Sequence, residues 1–161
     1  MNAKHWIEKL QLLPHPEGGF YKETYRAKEE IEPTGFEGKR NISTAIYFLL
    51  EEKDKSNFHR IKSDELWFFH EGNALEIYVL KEDKIEILLL GKNIDQGENL
   101  QAIVPGGSWF GARLKDGKGY ALVSCTVAPG FDFKDFELGK KRELLLRFPK
   151  HKTIIEALSL S

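Results

Sequence analysis

Phe58-His59-Arg60-Ile61-Lys62-Ser63-Asp64-Glu65-Leu66-Trp67-Phe68-Phe69-His70-Glu71-Gly72 decides how the rest of the chain is read. It holds two short runs rich in aromatic and β-branched residues, Phe58–Lys62 and Glu65–His70, parted by polar turn formers. The same rhythm extends outward in both directions. Ser43–Leu50 precedes it, and Leu75–Lys81, Lys84–Leu90, Leu100–Val104, Ser108–Leu114 and Tyr120–Ala128 follow. Gly72-Asn73, Glu82-Asp83, Gly91, Pro105-Gly106-Gly107 and Asp116-Gly117 punctuate the runs. Strand after strand at this spacing predicts an all-β sandwich or barrel, not a sheet with helical crossovers. Phe20–Arg26 reads as a further strand with Tyr21, Glu23 and Tyr25 on one face. Lys28–Arg40, with Pro33, Gly35 and Gly38, reads as a surface loop.

Helices are expected only near the ends. Ala3–Leu13 places Trp6, Ile7, Leu10 and Leu13 at helical intervals, with Asn2 as its cap and Pro14 as its stop. Lys152–Leu158 reads as a closing helix and Leu144–Phe148 as a final strand. No repeat, low-complexity tract or linker divides the chain, so residues 1–161 are expected to form one domain.

Composition narrows the class. Of 161 residues, 41% are hydrophobic and 30% charged, a balance that supports a folded core. Lys and Arg total 24 against 25 Asp and Glu. A net charge of −1 provides no concentrated positive field for nucleic acid or an anionic membrane, so neither is an expected partner. A single cysteine, Cys125, leaves no intramolecular disulfide and no CxxC site, and inert packing is its expected role. No basic-then-apolar leader opens the sequence, and no apolar run approaches the ~20 residues of a membrane helix. The expected location is the cytoplasm.

Five histidines occur without an HExxH, and the chain has no P-loop, nucleophile elbow or dinucleotide fingerprint. His5 and His151 are expected at the surface, and His15, between two prolines, in a turn role. His59, Glu65 and Gly72 carry the intervals of the first cupin motif, and Pro105-Gly106-Gly107 those of the second. Here the chain resembles the cupin superfamily, with Ile61 and Phe110 standing where the family's pattern has two further histidines. Across Leu12–Pro149 it is similar to a narrower, uncharacterised group, the cupin 5 family. That likeness rests on Pro14-His15-Pro16-Glu17-Gly18-Gly19-Phe20-Tyr21, on Ser63-Asp64-Glu65-Leu66-Trp67 and on Ala128-Pro129-Gly130-Phe131-Asp132-Phe133.

The resemblance implies a double-stranded β-helix, or jelly-roll barrel, with a central pocket and a homodimeric state. Its metal centre of three His and one Glu lacks two ligands here, since Ile61 and Phe110 have no lone pair to donate. No cofactor is therefore expected, and a divalent metal at His59 and Glu65 is the minor alternative. His59 and Glu65, if both face inward, are expected to pair across adjacent strands, the carboxylate raising the basicity of the imidazole. His70 should point away from Glu65. Tyr47 is a candidate proton donor on a strand with Ser43. Tyr21 and Glu23 are candidates at the pocket mouth, Ile61 and Phe110 are apolar walls, and Trp67 is a stacking surface. Three functions are weighed. The first is binding of a small polar molecule, carbohydrate- or nucleotide-like. The second is a metal-independent isomerase or epimerase with His59 as base and a tyrosine as acid, and the third a metal-dependent cupin enzyme. The Phe20–Arg26 segment is a candidate for the dimer contact, by pairing with a second subunit's sheet edge.

Overall fold

A computed structural model describes residues 1–160. Its first helix, α1 (Ala3–Leu10), starts where the Asn2 side chain accepts the His5 N–H at 3.0 Å. It stops one turn earlier than the periodicity suggests, because Gln11 adopts a left-handed conformation (φ 56°). Thirteen strands follow. They are β1 (Leu13–Pro14), β2 (Phe20–Arg26), β3 (Glu30–Ile31), β4 (Arg40–Asn41), β5 (Thr44–Glu51), β6 (Ser56–Arg60), β7 (Asp64–Gly72), β8 (Leu75–Leu80), β9 (Ile85–Leu90), β10 (Gln101–Val104), β11 (Phe110–Leu114), β12 (Tyr120–Ala128) and β13 (Glu137–Leu138). Helices α2 (Lys141–Arg147) and α3 (Lys152–Ala157) close the described chain.

Two antiparallel sheets face each other in a jelly roll. One has the order β1-β2-β5-β12-β7-β10 and the other β13-β6-β11-β8-β9. The order is non-sequential because the chain crosses repeatedly from sheet to sheet, which is the double-stranded β-helix that the strand rhythm and family likeness imply. Side-chain alternation fills the space between. Phe48, Trp67, Ile77, Val79, Phe110, Val123 and Cys125 form the inner core. On the outer faces, α1 covers Leu49 and Leu122, while α2 and α3 cover Phe58, Tyr78 and Trp109. No helix among the described residues is long and apolar enough to cross a membrane.

Three expectations change, at Leu144–Phe148, at His151 and along β2. Leu144–Phe148 lies in and just beyond α2 rather than in a strand, because Leu144 and Phe148, four apart, are both buried against the sheet. The run Lys-Arg-Glu-Leu-Leu-Leu-Arg also favours helix intrinsically. The loop from Lys28 to Arg40 runs over the surface as expected, pinned by the β3–β4 pair and by buried Arg40, whose guanidinium donates twice to Asp135 at 2.8 Å. His151 is buried, its Nε2 donating to the Lys81 carbonyl at 2.9 Å. One edge of β2 pairs along β5, while β1 covers its other edge only at Phe20 and Tyr21. A bulge between Glu23 and Tyr25 in that pairing breaks the predicted alternation, so Arg26, not Tyr25, follows Glu23 along the inner side.

Candidate functional site

The sheets enclose a cavity of about 470 Å³, open at one end. Each strand contributes through its inward face. β2 supplies Tyr21 and Glu23, β5 supplies Thr44, Ile46 and Phe48, and β7 supplies Glu65 and Trp67. His59 comes from β6 and Cys125 from β12, with Ile61 just past the end of β6. At the mouth Phe131, Phe133 and Phe136 meet edge to face, with ring centroids 5.0 to 6.4 Å apart.

Of the residues singled out from sequence, Tyr21, Glu23, His59, Ile61, Glu65 and Trp67 share this wall. Ser43 and Tyr47 do not. Inward Thr44, Ile46 and Phe48 leave the alternate positions of β5 facing outward, where Tyr47 packs beside α1 and meets the edge of the His70 ring at 6.2 Å. His70 is on that outer face as expected, hydrogen-bonded to the Ser124 hydroxyl. Phe110 lies behind the wall, fully buried, its ring centroid 4.2 Å from that of His59.

The expected His59–Glu65 pair is not formed. β6 and β7 belong to opposite sheets, so the two residues are not on adjacent strands. His59 faces Glu17 instead, with Nε2 3.5 Å from Oε1. On its other side the carboxyl reaches His15, whose Nδ1 is 3.1 Å from Oε2. Glu17 thus lies between two imidazoles, 6% exposed, in the turn that precedes β2.

The turn is held against the barrel by its backbone. The Glu17 carbonyl accepts the Asn57 backbone N–H at 3.1 Å and the Asn57 side-chain amide at 3.2 Å. Gly18 and Gly19 allow this approach. Both have positive φ, and a Cβ on Gly18 would collide with the Lys55 carbonyl, while one on Gly19 would sit 2.7 Å from the Leu49 carbonyl. Sequence reasoning assigned His15 a turn role and passed over Glu17. The adjacent glycines were the available signal, because such a pair marks a backbone that must come close to something.

Hydrogen bonds fix the tautomers. A carbonyl only accepts, so His59 Nδ1 carries the proton it shares with the Asn57 carbonyl at 2.7 Å, and Nε2 presents a lone pair. His15 Nδ1 accepts the Glu17 backbone N–H at 3.2 Å and presents no proton to the carboxyl either. Burial lowers both imidazoles to about 4; His59 adds to the effect at His15, and the Asn57 bond opposes it at His59. Glu17 is pushed well above the usual carboxylate range by burial and then by Glu65. Burial lifts Glu65 to about 7, against a smaller opposing pull from the Trp67 indole, whose N–H makes no hydrogen bond of full geometry. Cys125 is raised well above its ordinary value by burial, consistent with a protonated, unreactive thiol.

These residues do not fit a cupin-type metal centre. Ile61 and Phe110 offer no donor atom, and His59 has one lone pair left after bonding Asn57. Among the described residues no group of three or more His, Cys, Asp or Glu side chains is arranged to hold an ion.

Comparison with known proteins places these features in a lineage. The family model Cupin_5, described as cupin superfamily (DUF985), matches residues 4–139. The uncharacterized protein YML079W of Saccharomyces cerevisiae is 31% identical over 142 residues, covering 80% of this chain and 71% of its own. A solved structure of a hypothetical protein from Leishmania major superposes with a TM-score of 0.93 at 37% identity, over the whole of both chains. Protein SO0799 from Shewanella oneidensis gives 0.91 at 40% identity, over 99% of this chain and 98% of that one. Oxalate decarboxylase from Bacillus subtilis shares the fold alone, with a TM-score of 0.57 at 14% identity over 90% of this chain and 36% of its own.

Proposed function

Because the chain belongs to the Cupin_5 (DUF985) family of the cupin superfamily, we propose that its barrel cavity binds a small polar molecule with a ring or other planar body. One observation carries this reading. Glu17 is buried between two imidazoles, and its Oε2, which faces the His15 Nδ1 lone pair at 3.1 Å, has no hydrogen-bond partner beside a cavity of about 470 Å³. A buried polar atom left unpaired costs about 1–3 kcal/mol, and a bound ligand is the simplest way to satisfy it. The aromatic side chains at the mouth, with Trp67 and Tyr21 deeper in, offer stacking surfaces for a carbohydrate-like or nucleobase-like ring. Glu17, Glu23, Glu65 and Asp132 on the wall count against a phosphate-bearing nucleotide.

A second reading, metal-independent isomerisation or epimerisation, has a specific observation in its favour. His59 Nε2 is an unprotonated imidazole nitrogen, the form needed to take a proton from carbon. With Tyr47 on the outer face, the proton returned to the substrate would come from Tyr21 or Glu17. We also propose a cytoplasmic homodimer. The unpaired edge of β10 with exposed Ile103 is a surface that such a contact would cover.

Native mass spectrometry of gently purified protein, before and after incubation with a metabolite extract, tests the binding reading. A one-to-one organic adduct that leaves on denaturation is expected. Bare protein in both samples would contradict it. A stoichiometric metal ion would contradict the metal-free site.

A further inference from the structure

The ligand's chemical class can be read from the balance of donors and acceptors on the cavity floor, given that the cavity is a binding pocket. The polar atoms there are Glu17 Oε1 and Oε2, the His59 Nε2 lone pair and the Glu65 carboxyl. These are acceptors, or carboxyls able to become acceptors. Against these stand two neutral donors, the Trp67 indole N–H, itself unpartnered and 2% exposed, and the Tyr21 hydroxyl.

No lysine or arginine reaches the floor. Arg26, the one cation among the described residues on the cavity wall, is at the mouth and makes four hydrogen bonds there. Its Nε and Nη2 donate to Glu23 at 3.2 and 2.6 Å, and its Nη1 donates to Asn41 Oδ1 and the Phe131 carbonyl. The walls are aromatic. Tyr21 and Phe48 flank His15, and the Phe48 and Trp67 rings meet edge to face at 5.8 Å.

An acceptor-rich floor with two carboxyls, no cation and aromatic walls has a natural complement. We propose that the cavity takes a protonated amine, its ammonium group seated between Glu17, Glu65 and His59 Nε2 and its apolar body against Trp67 and Phe48. An ammonium presents three donors and no acceptor. Its charge lets both carboxyls ionise without leaving a negative charge unpaired in a poorly solvated site. Ring faces add cation–π attraction. The empty site stores the protons that the bound cation displaces, so binding releases protons to solution.

The test uses three molecules of one shape: 2-phenylethylamine, 2-phenylethanol and phenylacetate. Each is titrated by calorimetry into the whole protein at pH 6, where the amine is charged and both carboxyls of the empty site still hold protons. The amine is expected to bind at least ten-fold tighter than the alcohol, with phenylacetate weakest. Heats measured in two buffers of different ionisation enthalpy should show proton release for the amine alone. Glu17→Gln and Glu65→Gln should each weaken the amine about ten-fold and narrow its margin over the alcohol. Both are near-isosteric, and unchanged circular dichroism confirms that they fold. If the alcohol or phenylacetate binds as tightly as the amine, the amine assignment is overturned and the pocket reading stands. Amine binding that neither variant weakens overturns it too. If none of the three binds, both the assignment and the pocket reading are contradicted.

Discussion

Replacing Glu65 by Gln should make the protein more stable in alkali and leave it almost unchanged in acid. The Glu65 carboxyl stands on the cavity wall with its pKa lifted from 4.5 to about 7, chiefly by burial. Between those values the native state binds more protons than the unfolded chain, so stability falls as pH rises through the window. Below about 4.5 the contribution is fully present. Above about 7 its loss is complete. At about 1.4 kcal/mol for each pH unit of that gap, ionised Glu65 costs the native state about 3 kcal/mol. This is an upper figure, because the side chain is only partly buried at the cavity wall. Gln keeps the shape and cannot ionise. Glu17, which Glu65 also pushes upward, adds to the difference in the same direction. Urea unfolding followed by the fluorescence of the three tryptophans, at pH 5 and pH 9, reads the effect. The variant should come within about 1 kcal/mol of wild type at pH 5 and exceed it by about 2–3 kcal/mol at pH 9. Equal stability at both pH values would refute the reasoning, since it would mean that Glu65 titrates as a solvated carboxyl.

Three further outcomes follow from the same geometry. His15 and His59, lowered to about 4 by burial, should stay neutral at pH 6 by ring nitrogen NMR. Their contribution to stability should be lost as pH falls from about 6.5 through about 4, and titration of either ring near 6.5 would contradict its burial. Phe110→Ala should cost about 3–5 kcal/mol in urea unfolding, because the ring is 1% exposed and packs on His59; a cost under about 1 kcal/mol would show that the wall behind His59 is loosely packed. Light scattering should give twice the 18.5 kDa chain mass, with Ile103→Lys shifting it towards a single unit. A single unit for wild type would remove the dimer.

The barrel was legible because a strand's inward face repeats every second residue, and β5, β7, β8, β11 and β12 obey that period. The same period put Glu65 and Trp67 on one face of β7 and His70 on the other, while the inward direction of His59 and Glu65 followed from the likeness to the cupin motif. Errors arose where local order and three-dimensional neighbourhood part company. The Pro14–Phe20 segment is a turn, as read, but its spacing does not say that Asn57 will hold it against the barrel with Glu17 facing His59. Glu65 and His59 are six residues apart yet lie in opposite sheets, a fact fixed by the crossover and not by the interval. The bulge in β2 replaced Tyr25 with Arg26 through one extra residue, which alternation alone does not reveal. Leu144–Phe148 carried a four-residue apolar interval inside a run of helix formers, and that interval, rather than its leucine content, marked it as helix.

The central claim is that the cavity ringed by His15, Glu17, His59, Glu65 and Trp67 is a binding site. Saturation-transfer NMR with a library of neutral, anionic and cationic small metabolites tests it most directly. Wild type would be measured beside a Val127→Phe variant, whose larger ring fills part of the cavity from β12. The account predicts transfer to at least one amine-bearing molecule with wild type and loss of that signal with the filled variant. Silence across the library, or equal transfer to both proteins, would contradict it.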